Sequence, residues 1–380
     1  MLGIAVLGSS GSIGRQTLEV IAAHPARFRV RALAAGHASA TFLAQVGDWP
    51  DAAAWVSEGK PATIAVERWA EGGLEELVEL DGVDLVVVAT TGMAALPAVL
   101  RALAAERIVA LANKETLVTG GHLVSTALAR DGDPLERLRP VDSEHSAIWQ
   151  CLLGERRDDV TRLILTASGG PFREREVETL PRVTVEEALA HPTWRMGPKI
   201  TIDSATLVNK AFEAIEARWL YGLPYSRIEA VIHPSSVVHS LVEFADGSFK
   251  AQLGLPDMHL PIQYALTYPN RLPSPGRHAP PADWGSLEFR ELDPSRYAGY
   301  QVVREAAAAG GNRGTILNAA DEVAVAAFLG GRLTFDRIPM VIDDAVVRWG
   351  SPQEPDLATI VDLDREVREA LRADLGMAAT

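Results

Sequence analysis

The chain contains a single cysteine, Cys151, among 380 residues. No disulfide can form within it, and a reducing compartment is compatible. Basic residues are in deficit: 36 Lys and Arg stand against 50 Asp and Glu, for a formal net charge of -14. A broad nucleic-acid or anionic-membrane surface needs clustered Lys and Arg and is excluded; one small anion in a local site is not. No run approaches the roughly 18 uninterrupted apolar residues of a membrane span. The opening MLGIAVLGSS lacks the basic leader and cleavage site of a signal peptide. A cytoplasmic protein is therefore expected, with neither a nucleic-acid nor a membrane partner. Hydrophobic residues make up 47%, which supports packed cores, and the length suits two or three domains.

What is present begins with strand–helix alternation. Short β-like runs at Gly3–Leu7, Arg29–Ala35, Ala62–Val66, Asp84–Ala89 and Arg107–Ala112 are separated by helical stretches such as Thr17–Ala23, Leu74–Leu80 and Ala94–Ala105. Continuous apolar runs like DLVVVAT suit strands covered on both faces, so an α/β fold with a doubly wound, Rossmann-like N-terminal domain is expected over residues 1–141. Residues 142–268 read as an α+β domain, with strands at Arg162–Ala167, Lys199–Asp203, Ile228–Ile232, Val237–Phe244 and Ser248–Leu253. The last two flank Ala245-Asp246-Gly247, a hairpin signal. Residues 269–292 are proline-rich and read as a linker. Helical runs at Tyr300–Ala309, Gly314–Leu329, Pro339–Arg348 and Asp362–Gly376 predict a C-terminal helical domain over 293–380.

The first strand ends in Gly8-Ser9-Ser10-Gly11-Ser12-Ile13-Gly14, and a helix follows. Glycines let a backbone turn sharply against a pyrophosphate, whose charge the helix N-terminus meets. The spacing is G-x-x-G-x-x-G rather than the strict dinucleotide fingerprint, and a plain strand–helix turn is the other reading. The second strand ends Gly36-His37-Ala38-Ser39 without an acid, which favours NADP(H) over NAD(H). His37 and Ser39 are candidates for the extra phosphate, or residues of a solvent-facing turn. Asn113-Lys114-Glu115 follows the fifth run, where such sheets bind ligands; an N-cap Asn explains the same residues.

Asp142-Ser143-Glu144-His145 places two carboxylates at a strand–helix corner. They suit one hard divalent cation, or an N-cap with acid in the first turn. Asn209, Lys210 and Glu213 share one helix face, either as further site residues or as a solvated surface. Ser168-Gly169-Gly170 and Ser204 offer hydroxyls and glycine amides for a phosphate, with Lys210 supplying positive charge. His191-Pro192-Thr193-Trp194-Arg195-Met196-Gly197, within a loop expected over about 186–198, carries a Trp and a Met in a polar setting. It reads as a segment closing over a ligand, or Trp194 as a surface anchor.

The stretches LGSSGSIGRQTLEVI, LANKETLV, VDSEHSAIWQCL, LTASGGPF, HPTWRMGPKITIDSATLVNKAFEAIEARWL, IHPSSVVHSLVEFADGS, QLGLPDMHLPI and NAADEVAVAAFL resemble, in order, those of the 1-deoxy-D-xylulose 5-phosphate reductoisomerase family. The resemblance implies a homodimer that rearranges and reduces this phosphorylated sugar to 2-C-methyl-D-erythritol 4-phosphate for isoprenoid precursor synthesis. It implies NADPH held by Ser10, Gly11, Ser12, Ile13, Gly36, Asn113, Glu115 and Gly197, with His37 nearby. Asp142, Glu144 and Glu213 would ligate Mg²⁺ or Mn²⁺, with Co²⁺ also compatible. Substrate would meet Lys114, Ser143, Glu144, Ser168, His191, Trp194, Met196, Ser204, Asn209, Lys210 and Glu213. Glu144, Lys114 and His191 are the expected catalytic residues. The chain departs from the family where His37-Ala38 replaces Lys-Asn or Gly-Asn, and where Ser10 replaces the commoner Thr.

Two rivals use other chemistry. A semialdehyde dehydrogenase needs a nucleophilic cysteine, and Cys151 sits in an apolar helical run where a buried structural thiol is expected. A noncatalytic NADPH sensor needs the glycine turn but neither the carboxylates nor the phosphate site.

Overall fold

In the computed structural model, residues 1–129 and 132–378 are described. The chain gathers into two compact units: Met1–Thr116, Leu123–Trp149 and Asp257–His278 form the first, and Leu117–His122, Gln150–Pro256 and Ala279–Thr380 the second. These cuts differ from the boundaries expected at 141, 268 and 292.

The first unit alternates β1 (Leu2–Leu7), α1 (Ser12–Ala23), β2 (Phe28–Ala35), α2 (Ala40–Asp48), β3 (Ala53–Val56), α3 (Gly73–Glu79), β4 (Leu85–Val88), α4 (Leu96–Ala104), β5 (Ile108–Leu111), α5 (Lys114–Leu128), α6 (Pro134–Arg137), β6 (Leu138–Pro140) and α7 (Ser143–Leu152). The sheet order is β3-β2-β1-β4-β5-β6, and every pairing is parallel. Strand order therefore reverses beside β1, which opens a crevice past the carboxyl ends of β1 and β4. Ile4, Val6, Leu33, Leu85 and Val87 in the strands, with Ile21 in α1 and Phe42 in α2, form a buried core. Residues 62–66, read as a strand, are instead turn and the start of a single 3₁₀ turn. The third strand lies earlier, where Ala53–Val56 alternates half-buried and buried residues beside β2.

The segment Asp257–His278 also belongs to this unit. Its helix α11 (His259–Thr267) buries Ile262, Ala265 and Leu266 in the same core. Arg139 Nη1 donates to the Ala265 carbonyl at 2.8 Å. The first half of the expected linker is thus part of a packed unit.

The second unit holds β7 (Val160–Ala167), α8 (Val185–Leu189), α9 (Pro198–Thr206), α10 (Val208–Tyr221), β8 (Ile228–Ile232), β9 (Val238–Phe244), β10 (Phe249–Leu253), β11 (Arg290–Glu291), α12 (Ala298–Ala309), α13 (Arg313–Leu329), α14 (Ile338–Trp349) and α15 (Leu357–Asp374). Its sheet runs β10-β9-β7-β8-β11. The expected hairpin joins β9 and β10: Gly247 takes φ +82, and Ser248 N donates to Asp246 Oδ1 at 2.9 Å. The four C-terminal helices do not close a separate core. Val303, Ile316, Leu317, Val323, Ile342 and Val367 pack in one cluster with Ile202, Val208, Phe212 and Ile215.

Lys199–Asp203, read as a strand, is the first turn and a half of α9. Gly197 is its N-cap and Pro198 occupies the first turn, where a missing N–H costs nothing. Residues 201–206 are all buried, so burial on every side erased the helical period and left the alternation of Ile200 and Ile202 to mislead.

Candidate active site

In the first unit, Ser10 and Gly11 lie in the turn after β1, and Ser12 and Ile13 open α1. Gly8 takes φ +87, and a Cβ on Gly14 would stand 2.2 Å from the Gly8 carbonyl oxygen. Only glycine permits this helix to start so close to the strand. The N-cap is Gly11 and no side chain caps the helix, so the first-turn amides suit a pyrophosphate. The geometry fits a dinucleotide. Gln45, which sequence reasoning missed, braces the turn from α2: Ser9 Oγ donates to Gln45 Oε1 at 2.8 Å and Gln45 Nε2 donates to Ser9 O at 2.9 Å. Gly36 and His37 follow β2.

Asn113 caps α5. Its Oδ1 accepts from Thr116 N at 2.9 Å, and its Nδ2 donates to the carbonyls of Thr90 and Gly92 at 2.9 and 2.8 Å. The amide is engaged in joining the ends of β4 and β5 and is not available to a ligand. Glu115 is buried in the first turn of α5.

Lys114 Nζ lies 3.0 Å from Asp142 Oδ2. The other oxygen of Asp142 caps α7, accepting from Glu144 N at 3.1 Å and His145 N at 3.4 Å. The N-cap reading of Asp142 therefore holds alongside its ion pair. Ser143 Oγ donates to Glu144 Oε2 at 2.5 Å, so Asp142, Ser143 and Glu144 form one local polar corner.

In the second unit, Ser168 follows β7, and Gly169 and Gly170 take φ +82 and +66. A Cβ on Gly170 would stand 2.8 Å from the Ser204 carbonyl oxygen, so the glycine lets this loop approach α9. His191 fills the space between. Its Nδ1 accepts from Thr193 N at 3.1 Å and Trp194 N at 2.9 Å, which puts the proton of the neutral ring on Nε2. Nε2 is 3.0 Å from Ser168 Oγ and 3.1 Å from Ser204 Oγ. Burial, with a smaller contribution from Arg173, pushes the imidazole down to about 4. A neutral ring facing two hydroxyl oxygens leaves their hydrogens available to an anion.

Trp194, Met196 and Gly197 follow, after α8 (Val185–Leu189) has taken the start of the expected loop into a helix with a Thr184–Glu187 capping box. The ring centroids of Trp194 and His239 are 6.5 Å apart. On α10, Asn209 Nδ2 donates to Glu213 Oε1 at 2.6 Å and Lys210 Nζ to Glu213 Oε2 at 2.5 Å. Lys210 and Glu213 are almost fully buried, so this face is no solvated surface. Sequence reasoning also missed a second buried cluster, in which Lys199 Nζ is 2.7 Å from both Asp203 Oδ2 and Asp321 Oδ2. These ion pairs join α9 to α13. Burial pushes the Cys151 thiol up to about 11, which removes it as a nucleophile.

Family models match in three consecutive parts. The 1-deoxy-D-xylulose 5-phosphate reductoisomerase model covers residues 4–121, its C-terminal domain model covers 138–221, and the DXP reductoisomerase C-terminal domain model covers 253–370. The 1-deoxy-D-xylulose 5-phosphate reductoisomerase of Pelotomaculum thermopropionicum is 48% identical over 97% of each chain. The chain belongs to the 1-deoxy-D-xylulose 5-phosphate reductoisomerase family. The reductoisomerase of Geobacillus kaustophilus is 49% identical over 97% of this chain and 98% of that one. Among solved structures, a DOX-P reductoisomerase in complex with NADPH, fosmidomycin and magnesium superposes with a TM-score of 0.89 at 35% identity, covering 99% and 98% of the two chains. The Zymomonas mobilis reductoisomerase in complex with NADPH gives 0.87 at 35% identity over 98% and 99%.

Proposed function

We propose that this member of the reductoisomerase family converts 1-deoxy-D-xylulose 5-phosphate to 2-C-methyl-D-erythritol 4-phosphate, a step toward isoprenoid precursors, with NADPH and a divalent cation. The observation that carries the residue assignment is the Ser168–His191–Ser204 arrangement, where a neutral imidazole leaves two hydroxyls as donors. Those hydroxyls and the Gly169 amide hold the terminal phosphate, with Asn209 and Lys210 binding the sugar; the Gly170 amide donates to Ser168 Oγ at 3.2 Å and steadies it. Trp194 and Met196 cover the substrate and exclude water. Phosphate anchoring remote from the reacting carbons supplies binding energy for orientation.

Asp142, Glu144 and Glu213 offer only oxygen donors, the set that Mg²⁺ or Mn²⁺ takes. Such a cation, when bound, polarises the substrate carbonyl and favours the skeletal rearrangement, and NADPH supplies the hydride for the subsequent reduction. Lys114 holds Asp142 in place, Ser143 orients Glu144, and Glu144 handles the proton of a substrate hydroxyl. Ser10 to Ile13, Gly36, His37, Glu115, Gly197 and the Asn113 backbone receive the cofactor.

A homodimer is part of this reading. Strand β10 ends the second unit's sheet, with Phe249 and Leu253 exposed on it; an unpaired apolar edge invites a second copy. No helix among the described residues is long and apolar enough to cross a membrane, and the thiol of Cys151 is free; both support a cytoplasmic setting.

The deciding experiment follows NADPH consumption with 1-deoxy-D-xylulose 5-phosphate and Mn²⁺, then after EDTA. Oxidation that needs both sugar and metal is expected. NADPH binding without turnover of this sugar would reject the substrate assignment.

A further inference from the structure

The parallel pairing of β2 with β3 sets Ala35 beside Val56 and so delivers the chain after β3 to the turn after β2. Ser57 fastens it there: its N donates to the Ala35 carbonyl at 3.3 Å and its Oγ to the Gly36 carbonyl at 2.6 Å. The next residue, Glu58, puts Oε1 2.6 Å from His37 Nδ1. Both side chains are exposed, at 78% and 57%, and therefore open to a ligand.

In a doubly wound sheet the adenosine ribose of a dinucleotide lies past the carboxyl end of the second strand. An acid there binds the ribose 2′-hydroxyl, and a cationic donor accommodates a 2′-phosphate. The sequence of β2 supplies no acid, but the fold brings one from β3 and pairs it with the only ionisable residue of Gly36–Ser39. Ser39 is already the N-cap of α2, accepting from Phe42 N at 3.2 Å, and keeps only its O–H for a phosphate.

We propose that the His37–Glu58 pair sets the choice between NADPH and NADH, with Glu58 limiting the preference for NADPH. The inference rests on the reading that the glycine turn binds the dinucleotide. A 2′-phosphate draws His37 off its carboxylate partner and then stands beside that carboxylate, a like-charge contact. A 2′-hydroxyl instead donates to Glu58 and leaves the pair intact. Glu58→Gln removes the repulsion and weakens the hydroxyl's acceptor; His37→Ala removes the donor and leaves the carboxylate alone.

Binding of NADPH, NADH, 2′-AMP and 5′-AMP, read by isothermal titration calorimetry on the full chain, tests this directly. The ratio of the NADH to the NADPH dissociation constant is expected to rise about fivefold in Glu58→Gln and to fall about fivefold in His37→Ala, the scale of one charge contact in an exposed setting. 2′-AMP should follow NADPH, and 5′-AMP, which carries the free 2′-hydroxyl, should follow NADH. Either variant leaving the ratio within about twofold of the parent, or moving it the other way, overturns the proposal. Failure of the parent chain to bind either dinucleotide would instead reject the cofactor reading of the glycine turn. Because both residues are exposed, unchanged thermal midpoints are expected and exclude misfolding.

Discussion

Lys114 Nζ and Asp142 Oδ2 stand 3.0 Å apart, with 8% and 14% of the two side chains exposed. The pair connects the start of α5 to the corner before α7. Removing one partner of a desolvated pair leaves the other charge poorly compensated. Lys114→Met is expected to lower stability by about 2 kcal/mol and turnover by at least about a hundredfold. NADPH affinity should stay within about threefold, because the glycine turn is untouched. Urea unfolding and calorimetry check the two halves. Loss of NADPH binding in step with turnover would show that the pair only supports the fold.

His191 gives a pH prediction with a definite sign. In the folded chain the ring stays neutral down to about 4, whereas an unfolded histidine takes up its proton near 6.5. Between those values the unfolded chain binds more protons, so stability falls as pH is lowered from about 6.5 to about 4. The slope of the urea midpoint against pH in this window should flatten in His191→Gln. An unchanged slope would mean that the ring titrates at its ordinary value.

Gly170 is the point where the loop after β7 meets α9. Alanine there must hold φ +66 with its Cβ 2.8 Å from the Ser204 carbonyl oxygen, a strain of about 1 kcal/mol before any displacement. The two hydroxyls would move apart. The KM for the phosphosugar should rise about tenfold while the NADPH dissociation constant holds. A pure loss of stability with KM unchanged would remove the loop from the phosphate site.

Cys151 should prove dispensable. With its thiol pushed up to about 11 by burial, Cys151→Ala is expected to keep turnover within about twofold and cost about 1 kcal/mol in stability. Inactivation by this change would revive a thiol mechanism.

The sequence made local chemistry legible and hid what depends on distant partners. The glycine turn, the hairpin at Asp246-Gly247 and the C-terminal helices each carry their signal within a few residues, and each lies where that signal put it. Helix α9 does not, because the burial of its last six residues removes the polar face by which a helix is recognised. The strand Ala53–Val56 was passed over since two alanines in four residues give little β signal. Gln45, Glu58 and Asp321 were invisible for another reason. Their partners are Ser9, His37 and Lys199, each brought near by sheet order or helix packing, and nothing in the flanking residues announces the pairing. At Asp142 the N-cap reading holds, and the residue also pairs with Lys114, a partner that its flanking residues do not announce.

Leu207 is the single residue between α9 and α10, held at φ 57 and ψ 16 with its side chain buried. A left-handed leucine costs about 1 kcal/mol, and packing on both sides keeps it there. Ser204 therefore sits at a fixed span from Asn209 and Lys210, with no slack to lengthen or shorten. In the proposed site this elbow works as a calliper, setting the span between a phosphate held at Ser204 and hydroxyls held at Asn209 and Lys210. A sugar phosphate one carbon longer or shorter is then expected to seat one end only, so a backbone angle would join the ligating side chains in discriminating by length.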